Sequence, residues 1–231
     1  MTYWNRAVFV LEFILALSTF AGLVYRQHVR IAWFFGAYLL AIAIPDILIL
    51  RRPDLFTWDF WLVQQLTLSL AKLALVLELT LRIFQSLPRA RANVTGLQLA
   101  ILLLTLVLVA ARAGGGSADV ALQAMPWLQY GTAFAFIAML GGALWYYVPL
   151  HPIHRAILLA LTPYLLAFTL AIRALQDWGW DVRDLANYGS GAAFIVVLAY
   201  WTREAWRPYT VDQEHVEVFR FLRPWAVGRR T

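Results

Sequence analysis

The chain has 231 residues, of which 62% are hydrophobic, 15% aromatic and only 14% charged, an apolar share well above the roughly 45–50% of soluble domains, so it reads as an integral membrane protein. It has no cysteine, which excludes disulfides, thiolate metal sites, iron–sulfur clusters and thiol nucleophiles. The formal net charge of +6 comes from basic residues among which Lys72 is the only lysine; the arginines lie mostly between apolar runs, a pattern of membrane orientation before one of nucleic-acid binding.

Apolar runs long enough to cross a hydrocarbon core of roughly 30 Å occur seven times. The first, Ala7 to Tyr25, has no convincing A-x-A cleavage signal and reads as a retained helix carrying Glu12. The second, Ile31 to Leu50, contains the Pro45–Asp46 pair, and the third, Phe60 to Phe84, carries Lys72, Glu78 and Arg82. The fourth, Val94 to Ala111, offers a neighbour almost no polar atom and is expected at the lipid periphery. A flexible "AGGGSAD" loop leads to the fifth, Trp127 to Val148; the sixth, Ala156 to Leu175, contains Pro163 and Arg173, and the seventh is Leu185 to Trp201. Gly141 and Gly142, and "GSGAA" at 189–193, are small enough to let helices approach closely. The expected fold is all-α: a seven-helix polytopic bundle over residues 1–202, followed by a basic, aromatic tail at 203–231.

Loop charges orient such a bundle. Arg6, Arg51, Arg52, Arg112 and Arg183 lie on the side of the N-terminus among several aspartates, whereas the opposite side holds eleven arginines running from Arg26 to Arg230. The richer side is the cytoplasmic one, which puts the N-terminus outside and the C-terminus inside, in a bacterial inner membrane.

Charged side chains are costly in hydrocarbon, so those inside the runs are the candidate functional residues. Glu78 and Arg82 are four apart and read as a self-neutralised pair near the interface; the alternative puts Glu78 in a cavity as a proton or cation site. Lys72 shares a helical stripe with Gln65 and Ser69 that should face the bundle. Its expected counter-charges are Glu12 or Asp46, with Arg173 on the other, either as structural staples or as an ion or substrate path. In "QDWGWDVRDLANY", Asp177, Trp178, Trp180, Asp181 and Asp184 form a possible outer ligand loop, or simply an acidic, solvated turn. His151 and His154 flank Pro152 and read as surface histidines of a turn; a metal site would need a third ligand such as His215. No metal and no cofactor is expected: no histidine lies in the membrane core for haem, and neither G-x-S-x-G nor H-E-x-x-H occurs. The last run has no lysine for a retinal Schiff base.

The charged third run "VLELTLRIF" and the closing "YWTREAWRPY" give a layout that resembles uncharacterised bacterial seven-helix membrane proteins and, more loosely, the seven-helix sensory regions that precede cytoplasmic kinase modules. The resemblance is one of layout and carries no residue roles. The lack of catalytic motifs, beside a coherent bundle with an outward acidic, aromatic loop and an inward basic face, points to a non-enzymatic sensor, receptor or accessory subunit, with the bilayer as its first partner and a protein partner reached through the tail; no nucleic acid is expected. The other reading is a small transporter or proton-coupled carrier that uses the intramembrane charges.

Overall fold

The computed structural model describes residues 3–208 except 56, 113–116 and 179–182. Among these residues are seven α-helices and no strand: α1 (Tyr3–Tyr25), α2 (Trp33–Arg51), α3 (Trp58–Ile83), α4 (Pro88–Arg112), α5 (Ser117–Trp145), α6 (Pro152–Trp178) and α7 (Arg183–Trp206). Each helix contains or overlaps one apolar run, and proline stands at the start of α4 and α6, where its missing N–H costs nothing. Five segments are long and apolar enough to cross a membrane: Arg6–Tyr25, Trp33–Arg51, Pro88–Leu108, Pro126–Trp145 and Pro152–Ala174. The other two helices, α3 and α7, have 26 and 24 residues, or about 39 and 36 Å at 1.5 Å per residue.

Packing closes α1, α2, α3, α5, α6 and α7 into a ring, with α4 outside it against α3 and α5. The outer position of α4 leaves Leu97, Leu99, Leu103, Leu104 and Leu106 exposed, as a lipid-facing stripe requires. Its inner face is more polar in its contacts than the sequence reading expected. Gln98 is fully buried, and its amide donates to Thr80 Oγ1 at 2.8 Å and to the Ala135 carbonyl at 3.3 Å. One amide thereby ties α4 to both α3 and α5.

At one of the two expected glycine sites a close approach requires the glycine. A Cβ on Gly142 would lie 2.5 Å from Val94 Cγ2 and 3.3 Å from Phe84, so α5 meets α3 and α4 there only because the position lacks a side chain. At "GSGAA" no close approach requires the glycines themselves: nothing lies within 4 Å of a Cβ on Gly189, and Val8 is at an ordinary 3.7 Å from one on Gly191. The helix that carries them, α7, does pack closely, against α1 and α6.

The half of the ring that holds the end of α1 and the start of α2 is packed with large buried side chains. Leu75, Val76 and Leu79 of α3 pack there with Phe35 and Leu39 of α2, all at most 2% exposed. Trp201 of α7 meets the Phe35 ring edge-on at 4.9 Å and donates its indole N–H to the Ala156 carbonyl at 3.1 Å. The other half of the ring is not filled.

Candidate functional site

Three features of the chain leave that second half open. The stripe Gln65, Ser69, Lys72 on α3 faces inward, as expected, and brings amide and ammonium groups where aliphatic side chains would pack. Gly191 and Ser190 on α7 are small. Pro45 in α2 and Pro163 in α6 lie inside helices, where each withholds an N–H from the carbonyl four residues back.

The result is a partly open cavity of about 260 Å³ walled by α1, α2, α3, α6 and α7. Its polar lining is Glu12, Asp46, Gln64, Gln65, Lys72 and Ser190. Its aromatic lining is Phe9, Tyr38, Trp61, Tyr164, Phe168 and Phe194. The lining residues of α1 and α7 come from the early turns of each helix, while those of α2 and α3 run from Tyr38 to Asp46 and from Trp61 to Lys72, so the cavity extends from the end of the bundle where α1 begins to its middle.

Within it the charges are not arranged as the sequence suggested. Lys72 is 6% exposed and makes no ion pair; its Nζ donates to Gln129 Oε1 of α5 at 2.8 Å. Gln129 is held in turn by Ser69, whose Oγ accepts from the amide at 3.4 Å. Asp46 is 1% exposed, and its Oδ2 is buried without a hydrogen-bond partner. Glu12 lines the same cavity, as do Tyr38 and Tyr164. The site therefore brings two acidic side chains to one cavity, while the one cation among its lining residues is turned to a neutral amide. Around the carboxylates stand aromatic faces: Tyr164 stacks on Phe168 at 5.9 Å and tilts against Phe194 at 5.0 Å.

Glu78 and Arg82 lie outside the cavity and do a different job. They pair at 2.8 Å, and the Glu78 carboxylate also accepts the backbone N–H groups of Trp33 at 3.0 Å and Phe34 at 2.7 Å. Glu78 thus caps the first turn of α2 from α3, supplying a negative charge where the helix dipole favours one. Arg173 is exposed near the end of α6 and does not line the cavity. Of the expected outer loop, Trp180 and Asp181 lie outside the described residues, as do the side chains of Asp177, Trp178 and Asp184.

The histidine turn gains a member that the sequence reading missed. The His151 ring lies edge-on to His154 at 5.8 Å and to His28 at 5.7 Å, and His154 Nε2 is 3.0 Å from the Ile31 carbonyl. Among the described residues no group of His, Asp or Glu is arranged to hold a metal ion. Gln129 was legible in one respect: a lone amide in the apolar stretch "PWLQYGTAF" needs a polar partner, although the sequence does not say which. Tyr38, Tyr164 and Phe168 gave no signal, because a buried aromatic in a membrane helix is ordinarily packing.

The chain matches no protein-family profile, and no curated protein or solved structure matches it. The cavity's own chemistry is therefore the guide to function.

Proposed function

We propose that the protein is a seven-span receptor-like protein of the bacterial inner membrane, with its N-terminus outside, which binds a small organic ammonium ion in the cavity between α1, α2, α3, α6 and α7. The single observation that carries the reading is the pairing of the unpartnered Asp46 and the nearby Glu12 with an aromatic lining. Carboxylates supply charge, and aromatic faces attract a positive ion through their quadrupoles; together they are the recurrent means of recognising substituted ammonium groups. Gln129 keeps the Lys72 ammonium off the carboxylates, so the site is not neutralised from within. The basic segment after α7 would pass the signal to a cytoplasmic partner.

Equilibrium binding of radiolabelled tetramethylammonium to the purified full-length protein in nanodiscs tests this. Saturable binding is expected, lost in Asp46→Asn and Glu12→Gln while both variants keep the helical content of the parent. Wild-type protein that takes up no ammonium ion, or variants that bind as well as wild type, would remove the proposal.

A second reading, a cation carrier, has one observation in its favour: Pro45 precedes Asp46 directly and Pro163 precedes Tyr164 directly, so two cavity-lining residues sit at interrupted points of their helices. Such points are where a helix bends most readily. Concentration-dependent uptake into proteoliposomes, abolished by Asp46→Asn, would favour it over the receptor.

A further inference from the structure

The polar cavity is not isolated from the surface of the bundle that faces outward between α6 and α7. A groove of about 560 Å³ runs there, walled by Pro163, Ala167, Ala193, Val196 and Tyr200 among others. A smaller space of about 220 Å³, bordered by Ala171 and Gly189, shares walls with both. The three share walls in sequence. Ser190 and Phe168 belong to both the polar cavity and the middle space, Ala167 and Ala193 to both the middle space and the groove, and Tyr164 to all three. Gly189, Ser190 and Ala193 of "GSGAA" line this row of spaces.

The chemistry changes along the path. At one end are Glu12 and Asp46; at the other the walls are aliphatic, and the neighbouring Val196 and Leu170 are 68% and 69% exposed on the outer face, where an apolar helix meets lipid. From Ser190 to Tyr200 the path runs about 15 Å along α7 at 1.5 Å per residue, the reach of a medium-length alkyl chain. Tyr164, leaning on Phe168 and Phe194, stands where head and chain would meet.

We infer that the ligand is a single-chain amphiphilic amine, with its ammonium group between Glu12 and Asp46 and its alkyl chain in the groove between α6 and α7, and that it reaches the site sideways from the bilayer. The inference rests on the ammonium-binding reading above and adds the chain. A purely water-soluble ammonium ion would leave the groove without a role. Charge selects the head: an anionic amphiphile of the same length would meet two carboxylates.

Competition against bound tetramethylammonium in phosphatidylcholine nanodiscs separates the two claims. The probes are butylammonium, dodecylammonium and dodecanoate, and the variants are Ala167→Phe, at an exposed position, and Ala193→Phe on the facing helix. All proteins see the same bilayer, so partitioning of the long amine into lipid cancels when variants are compared with wild type. Dodecylammonium should lose about tenfold or more in potency in Ala167→Phe, the equivalent of about two buried methylenes, while butylammonium is unchanged; dodecanoate should not compete. Should Ala167→Phe fail to fold, Ala193→Phe carries the same expectation. Unchanged dodecylammonium potency in a variant that still binds butylammonium overturns the chain position and leaves the ammonium site standing. Loss of all ammonium binding in wild type removes both.

Discussion

Removing the charge of Glu78 separates a helix cap from a surface ion pair. Glu78 is 7% exposed and accepts from two backbone N–H groups of α2 as well as from Arg82, which is 37% exposed. In Glu78→Gln the side chain keeps one acceptor oxygen for two donors, so one N–H is left buried and unmatched at about 1–3 kcal/mol. Loss of the negative charge at a helix N-terminus adds about 0.3–1 kcal/mol. The expected total is about 1–4 kcal/mol. Arg82→Gln removes only the partly exposed, solvent-screened side of the pair, at about 0–1 kcal/mol, and leaves the cap in place. Unfolding by sodium dodecyl sulfate in mixed micelles, followed by tryptophan fluorescence, measures both. If Arg82→Gln costs as much as Glu78→Gln, the carboxylate matters for its salt bridge and the capping argument is refuted.

Gln129→Leu strands the Lys72 ammonium in a buried site and should cost about 3–5 kcal/mol, whereas the double variant with Lys72→Met removes both partners and should recover most of that loss in the same micelle assay. Gly142→Val forces a branched side chain onto Val94 and Phe84 and should destabilise by about 1–3 kcal/mol or more, against little change for Gly141→Val, which meets open space; thermal unfolding of the pair checks this. Burial, and then the charge of Arg26, hold the His28 imidazole below its ordinary value of 6.5. The unfolded chain therefore takes up a proton that the folded one resists, so this contribution is full above about pH 6.5 and is lost as the pH falls below it. Unfolding titrations from pH 7.5 to 5.5 should show the decline, and His28→Gln should flatten it.

The helices were legible because each apolar run had to close its own backbone hydrogen bonds, whatever its neighbours. Lys72 facing inward was legible too, since Gln65 and Ser69 mark the same side of α3. Its partner was not. The sequence offers Asp46 and Glu12 as the electrostatically obvious choices, but only the ring arrangement brings Gln129 of α5 to the ammonium and leaves the acids without it. The cap made by Glu78 was hidden for the same reason: a contact with the start of α2, 44 residues away, has no local signature, and the i,i+4 arginine supplied a sufficient local explanation. "GSGAA" shows the converse, since small residues permit either close packing or open space, and composition alone does not distinguish them.

An ammonium ion held in the cavity of Glu12 and Asp46 should shield the residues on its wall. The chain has no cysteine, so a single Gln64→Cys substitution places one thiol on the cavity wall. The rate at which a membrane-impermeant methanethiosulfonate labels it is then the most direct measurement. Tetramethylammonium should slow labelling in a saturable way, with dodecanoate and neutral sugars without effect and protection lost on adding Asp46→Asn. Labelling that proceeds at the same rate with and without the ammonium ion would contradict it.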